Sequence, residues 1–217
     1  MTVRLIDSVT LCLIRDGKAG DAKALNALFA RYQERVLRVV RLRLSHELRE
    51  RLRLQSMDIL QDVFMHAFRK LPDFEPTSEG SFLHWLGRIA ENAIRDHLDY
   101  AAAGKRDTSA ERSLDQSLLV SQEHLHLRDI IPDGGMSPTQ HMLKRSIKSA
   151  VDDLLLELDD AERELIIQHK IEGLTFGEMA LMVGKTEDAV RKHFNRSFQK
   201  LVALAESKKM VQELGLG

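Results

Sequence analysis

Apolar residues in this chain recur at intervals of three and four and almost never alternate, a pattern that predicts helices and leaves no stretch that reads as a strand. Residues 5–55 read as two helices separated near "DGKAGD". The second carries Leu25, Leu28, Phe29, Tyr32, Val36, Val39 and Val40 on one stripe. A third helix is predicted over about 57–71, with Leu60, Val63, Phe64, Ala67 and Phe68 turned inward. Pro72, Pro76 and Gly80 then set a loop, "LPDFEPTSEGS", after which "FLHWLGRIAENAIRDHLDY" resumes a helix with Leu86, Ile89, Ala90, Ala93, Ile94 and His97 inward. Residues 1–100 are expected to form one compact helical unit. Periodicity lapses over 101–138, where polar clusters, Gly134, Gly135 and two prolines read as a linker. Helices return over 139–217.

The punctuation of this last part is more specific than its periodicity. Asp159 with Glu162 stands as a capping box for a helix that ends at Gly173, and Thr175 with Glu178 repeats the box. Gly184 closes the short helix so begun. Thr186 caps a final helix whose first turn carries Glu187 and Asp188, acids placed favourably against the helix dipole. Two helices meeting at a capped corner make a helix-turn-helix. The expected fold class is therefore all-α, two helical domains joined by a linker, the second ending in a helix-turn-helix.

Composition narrows the class without choosing a function. A chain of 217 residues with 43% apolar and 30% charged side chains can bury one or two cores. The single cysteine, Cys12, excludes an intramolecular disulfide, and no apolar run reaches the roughly 20 residues of a membrane span. An acid interrupts the apolar part of "MTVRLIDSVTLCLIRDGKAGD", so the N-terminus reads poorly as a signal peptide and a cytoplasmic protein is expected. The "HLH" at 124–126 lacks carboxylates or cysteines at ligand spacing. No phosphate loop, nucleophile elbow or catalytic carboxylate pair appears, so no metal, cofactor or catalytic residue is expected and the chain does not read as an enzyme.

Net charge is only -1, but the charges are segregated. Residues 31–53 hold eight arginines against three glutamates, whereas 57–99 hold eight acids against four Lys and Arg. On the helix "SMDILQDVFMHAF", Asp58, Gln61, Asp62 and Met65 share an outward face, an acidic and amphipathic surface suited to a basic protein partner. The following loop carries Phe74, and the next helix presents Arg88, Asn92 and Arg95. An aromatic ring beside Arg and Asn can stack on and hydrogen-bond an unstacked base. Phe82 and Trp85 sit beside the inward stripe and read as core. On the last helix Val190, Phe194, Phe198 and Leu201 form an apolar stripe, leaving Lys192, Asn195, Arg196 and Gln199 on another face. Those side chains match phosphates and base edges in a major groove.

"MDILQDVFMHAFRKLPDFEP", then "SFLHWLGRIAENAIRDHL" and, after the linker, "LDDAERELIIQHKIEGLTFGEMALMVGKTEDAVRKHFNRSFQKL" resemble the extracytoplasmic-function group of bacterial sigma-70 factors. The resemblance covers most of the chain. It implies a region-two domain over about 20–100 and a region-four domain over about 140–205. Core RNA polymerase and promoter DNA are the implied partners, and an anti-sigma factor is a further one that the family allows.

Asp58, Gln61 and Asp62 stand where the family docks on the polymerase clamp helices, with Met65 beside them. Phe74 and Asn92 stand where a loop aromatic and a helix asparagine hold a flipped base of the minus-ten element, flanked here by Arg88 and Arg95. Arg191 and Arg196 match basic positions of the minus-thirty-five helix. Thr186, Lys192, Asn195 and Lys200 complete the expected contact set. Lys192 replaces a common serine and His193 a common arginine, and Asp96 and Asp99 make the helix after Asn92 less basic than usual. Two other classes fit part of the pattern: a polymerase-independent helix-turn-helix regulator, and a helical protein-binding adaptor.

Overall fold

The computed structural model describes residues 8–44, 55–77, 80–104 and 138–208. The linker reading of 105–137, the "HLH" of 124–126 and the arginine-rich stretch over 45–54 lie outside them.

The N-terminal lobe is built from α1 (Ser8–Lys18), α2 (Ala22–Arg43), α3 (Ser56–Lys70) and α4 (Ser81–Gly104). Asp21 caps α2, accepting from Lys23 N at 2.8 Å and Ala24 N at 3.3 Å, which satisfies donors that have no partner inside the helix. A 3-10 turn, Leu71–Asp73, takes up Pro72 at the end of α3, where its missing N–H costs least. The core is the inward stripe of each helix: Leu28, Val36, Val39 and Val40 from α2, Ile59, Val63 and Ala67 from α3, and Phe82, Leu83, Leu86 and Ala90 from α4. Each larger apolar side chain buried in this way contributes roughly 1.5–3 kcal/mol. Phe68 departs from expectation: it is half exposed on α3, because the stripe is completed by Phe64 stacking on Phe29 at 4.9 Å. Helix α4 also runs on to Gly104, into the stretch expected to be linker.

The C-terminal lobe contains α5 (Pro138–Leu156), α6 (Asp160–Ile166), a π-helical turn (Ile167–Ile171), α7 (Phe176–Val183) and α8 (Glu187–Ser207). Only half of the expected Asp159–Glu162 box forms. Asp159 accepts from Glu162 N at 2.8 Å, but the Glu162 carboxylate turns to Lys200 Nζ at 2.6 Å and ties α6 to α8. Helix α7, with eight residues, is too short to hold alone and is fixed at both ends. Thr175 and Glu178 form the full capping box, and Gly184, at φ 63°, ψ 32°, supplies the left-handed C-cap that other residues rarely adopt.

One apolar cluster runs through both lobes, from Leu28 and Phe82 to Leu154, Leu155, Leu158, Ile167 and Leu201. A smaller one, Leu174, Met179, Ala180 and Val190, sits under the helix-turn-helix. The lobes meet where α2 packs on α5 and on the π-helical turn.

Candidate functional site

Three surfaces carry the residues singled out in the sequence. On α3, Asp58 and Gln61 are exposed, as is Met65, but Asp58 is also tethered, its Oδ2 accepting from Gln55 N at 2.9 Å to close the first turn. Asp62 is not the free carboxylate expected: it is half-buried, 2.8 Å from His97 Nε2 on α4. The periodicity had placed His97 inward, and the inward ring reaches Asp62. The exposed stripe of α3 is more apolar than the sequence reading allowed, since Met57 and Phe68 join Met65 on it. Spacing would have found Met57, eight residues before Met65. Phe68 lies four residues after Phe64, a spacing that predicts an inward ring, yet it stays half exposed.

On α4, Arg88, Asn92 and Arg95 lie on one exposed face, as their i, i+4 and i+7 spacing requires. Glu91 lies between them and was not foreseen. It bridges Arg88 Nη1 at 2.7 Å and Arg95 Nη2 at 3.0 Å, which holds both guanidinium groups on the surface. Phe74 is buried rather than presented, 7% exposed. Its ring packs on Trp85 at 4.8 Å and Phe82 at 5.4 Å, closing the N-terminal end of α4. Beside it runs a groove between the lobes, lined by Thr77, His84 and Trp85 on one wall and Leu174, Leu181 and Met182 on the other.

On α8, Thr186 Oγ1 accepts from Ala189 N at 3.2 Å, so the helix begins where expected. Arg191, Lys192, Asn195 and Arg196 are all exposed. Arg191 pairs with Glu187 and lies over the Phe176 ring, which fixes its direction. Lys192 Nζ is 2.8 Å from Asp188 Oδ2, and this hydrogen bond and charge hold the Asp188 carboxyl below its ordinary pKa. Lys200 points elsewhere. It is tied to Glu162 and lies 3.8 Å from Asp159; the Glu162 hydrogen bond raises its pKa. The apolar stripe behind this face is anchored by Phe194, packed on His169 and Phe176 at 4.8 and 5.3 Å. Phe198 lies nearer the edge, half exposed, stacked on Phe194 and under Lys170 Nζ. Leu181, Met182 and Val183 on α7 are exposed apolar residues that the sequence reading did not single out.

No group of three or more His, Cys, Asp or Glu side chains that could hold a metal occurs among the described residues. No described helix is long and apolar enough to cross a membrane.

An all-helical chain whose C-terminal lobe ends in a capped helix-turn-helix with a cationic outer face is a DNA-binding protein by architecture. Comparison with known proteins gives the family. The family model for Sigma-70 region 2 matches residues 28–103 and that for Sigma-70, region 4 matches 148–201. The chain is 30% identical over 150 residues to the RNA polymerase sigma factor CnrH of Cupriavidus metallidurans, covering 69% of this chain and 73% of that protein. It is 26% identical over 185 residues to the RNA polymerase sigma-H factor of Pseudomonas aeruginosa, covering 85% and 88% of the two chains. The solved structure of CnrH in complex with the cytosolic domain of CnrY shares the fold with a TM-score of 0.54 at 23% identity, over 92% of this chain and 99% of that one.

The chain belongs to the sigma-70 family of RNA polymerase sigma factors, in its extracytoplasmic-function group. It is a transcription initiation factor that binds core RNA polymerase and directs it to promoter DNA.

Proposed function

We propose that three separate faces divide this work. The α3 face, with Asp58, Gln61, Asp62 and Met65, docks on core polymerase. Its exposed methionines supply apolar contact and its carboxylates steer a basic partner surface. The α4 face, with Arg88, Asn92 and Arg95, takes the phosphates and an unstacked base of the minus-ten strand, and Phe74 serves as a stacking platform there once it is uncovered. The α8 face, with Thr186, Arg191, Lys192, Asn195 and Arg196, enters the major groove of the minus-thirty-five element, and Lys200 reaches a flanking phosphate if it leaves Glu162. Residues 1–100 and 139–217 act as the two DNA-binding domains, joined by the linker between them.

The observation that carries this reading is the α8 face. Its cations and its asparagine project from a helix whose start is capped and whose back is packed by Phe194 and Leu201. The protein acts by binding, in the cytoplasm, and contributes no catalysis of its own. Melting is favoured by binding energy released on exposed bases. A protein partner of the anti-sigma kind is supported by the company of CnrH with the cytosolic domain of CnrY. Capture of core polymerase on the immobilised chain, followed by footprinting of the holoenzyme on promoters selected from genomic fragments, tests the division. Protection is expected at two elements on opposite sides of one spacer. Footprints formed without polymerase would replace this assignment with an ordinary operator-binding regulator.

A further inference from the structure

Two ion pairs lie side by side on the first turns of α8, and they do different things. Arg191 pairs with Glu187, but its guanidinium lies over the Phe176 ring. Glu187 in turn leans on the start of α7, where a Cβ on Gly177 would lie 3.6 Å from its Oε2. That pair fastens α8 to α7. Asp188 and Lys192 instead face outward and pair with each other, Oδ2 to Nζ at 2.8 Å, and both are exposed. Their spacing of i, i+4, i+7 and i+8 sets them on one face with Asn195 and Arg196, and Arg196 Nε leans back to Lys192 O at 3.4 Å. Asp188 and Lys192 occupy the N-terminal end of that face, the part a helix-turn-helix brings nearest to base edges. An exposed pair of this kind contributes little to stability, so stability does not account for its place.

A carboxylate aimed at DNA meets two obstacles. Phosphates repel it, and it only accepts, so in the major groove it can be satisfied by cytosine N4 or adenine N6 alone. Lys192 removes the first obstacle by cancelling the charge of Asp188. The hydrogen bond and charge of Lys192 also hold the Asp188 carboxyl below its ordinary pKa, so it stays an acceptor at neutral pH. Lys192 has the opposite character, since an ammonium group only donates. The pair is thus one donor beside one acceptor, 2.8 Å apart. A G·C base pair offers the complement: guanine O6 lies beside cytosine N4 at the ordinary hydrogen-bond separation of about 2.9 Å. One ammonium hydrogen goes to Asp188, and the other two suit guanine O6 and N7. An A·T pair with thymine under Lys192 keeps the order but puts a methyl group where guanine has N7. A C·G pair reverses the order, setting donor against donor and acceptor against acceptor.

We infer that Asp188 is a specificity-determining residue: joined to Lys192, it reads a single G·C base pair in the major groove, with Lys192 on guanine O6 and N7 and Asp188 on cytosine N4. The inference rests on the proposed entry of the α8 face into the groove, and it adds to the cations of that face an acid that has no affinity for phosphate.

The test uses holoenzyme assembled from the full chain and core polymerase, with fluorescein-labelled promoter duplexes whose upstream element is varied one base pair at a time. Wild type is expected to favour G·C over C·G at one position by roughly 5- to 150-fold, the span of one good set of base contacts. Asp188→Ala and Lys192→Ala should each lose most of that ratio at that position and at no other. Asp188→Asn should move the preference there toward A·T, because an amide matches adenine. N4-methylcytosine keeps base pairing but replaces the hydrogen that faces the groove. It should weaken binding by wild type and leave Asp188→Ala unaffected. Circular dichroism checks the fold, and a weakened helix would lower affinity for all sequences alike without moving a ratio at one base pair. Ratios unchanged in Asp188→Ala and Asp188→Asn, with upstream protection intact, would make the pair an ordinary solvated one; that overturns the inference and leaves the α8 assignment standing. Uniformly tighter binding by Asp188→Ala, with every ratio kept, would make Asp188 a brake on Lys192 and overturn the inference as well. Absence of any upstream protection by wild-type holoenzyme would remove the α8 assignment and the inference together.

Discussion

Arg196 and Phe194 sit two positions apart on α8 and separate a proposed DNA contact from folding. Arg196 is exposed, its Nε donating weakly to Lys192 O at 3.4 Å, so truncation leaves the lobe intact. If it contacts a base, Arg196→Ala is expected to cost about 1–3 kcal/mol on the cognate upstream element and to relax preference at one position. If it contacts a phosphate, the loss is uniform across sequences and the salt dependence becomes shallower. Fluorescence anisotropy of duplex binding by the holoenzyme, at two salt concentrations and with altered bases, distinguishes these outcomes. Unchanged affinity, slope and preference would exclude the residue from the interface. Phe194 is buried against His169 and Phe176, so Phe194→Ala is expected to destabilise the lobe by roughly 3–5 kcal/mol, read as an earlier denaturant midpoint. The exposed face of α8 was legible because its residues lie three and four apart on one helix. The burial of Phe74 was not, since the rings that cover it, Phe82 and Trp85, are brought to it by the turn of the chain at Pro72 and Pro76.

Helices α7 and α8 hold the proposed DNA-binding face through local capping, so their stability is expected to depend on a few hydrogen bonds at their ends. Thr186→Ala removes the acceptor for Ala189 N and is expected to cost about 0.5–2 kcal/mol, with frayed backbone amides in the first turn of α8 visible by hydrogen exchange. Protection equal to wild type there would show that Glu187 and Asp188 suffice to hold the turn. Helix α3 is a different kind of element, an exposed amphipathic stripe beside tethered acids. Reversing Asp58 to Lys is expected to weaken capture of core polymerase through the lost steering, with a small further loss of helix stability because Asp58 closes the first turn on Gln55 N. Met65→Ala should weaken capture without that stability loss, since the side chain is largely exposed. Equal capture by both variants would move the docking surface off α3.

The whole molecule is two lobes joined by a charged seam, and its response to acid follows from Glu164. Burial pushes that carboxyl up, but the hydrogen bond and charge of Arg43 more than reverse this, and its pKa falls below the ordinary carboxylate value. A carboxylate depressed in the docked state contributes stability that is fully present above its free pKa, about 4.3 for glutamate. That contribution is lost as pH falls through the lower docked value. The groups facing it are Arg43, Gln168 and His84, with Glu172 on the far side of Arg43. The radius of gyration is therefore expected to hold from neutral pH down to the ordinary carboxylate range and to grow below it. Growth confined to higher pH would assign the opening to another group. Arginine abundance over residues 31–53 takes on a structural meaning at this scale, because Arg35, Arg38 and Arg43 are engaged at the seam.

The sequence by itself determined the helical class, the caps of α7 and α8 and the order of the two lobes. These features rest on hydrogen bonds and packing between residues a few positions apart, such as Thr175 with Glu178 or Thr186 with Ala189, and such spacings leave a periodic trace in the chain. It also carried the family motifs, because they lie on single helices. Only the tertiary structure decided that Glu172 is buried between Arg43 and His84, that Gly80 and Gly87 leave room for it, and that Phe74 is covered. Those facts join residues 88 positions apart, His84 with Glu172, and 121 apart, Arg43 with Glu164. No local spacing encodes such a pair, since desolvation and charge act through space and emerge only when the folded lobes bring the side chains together.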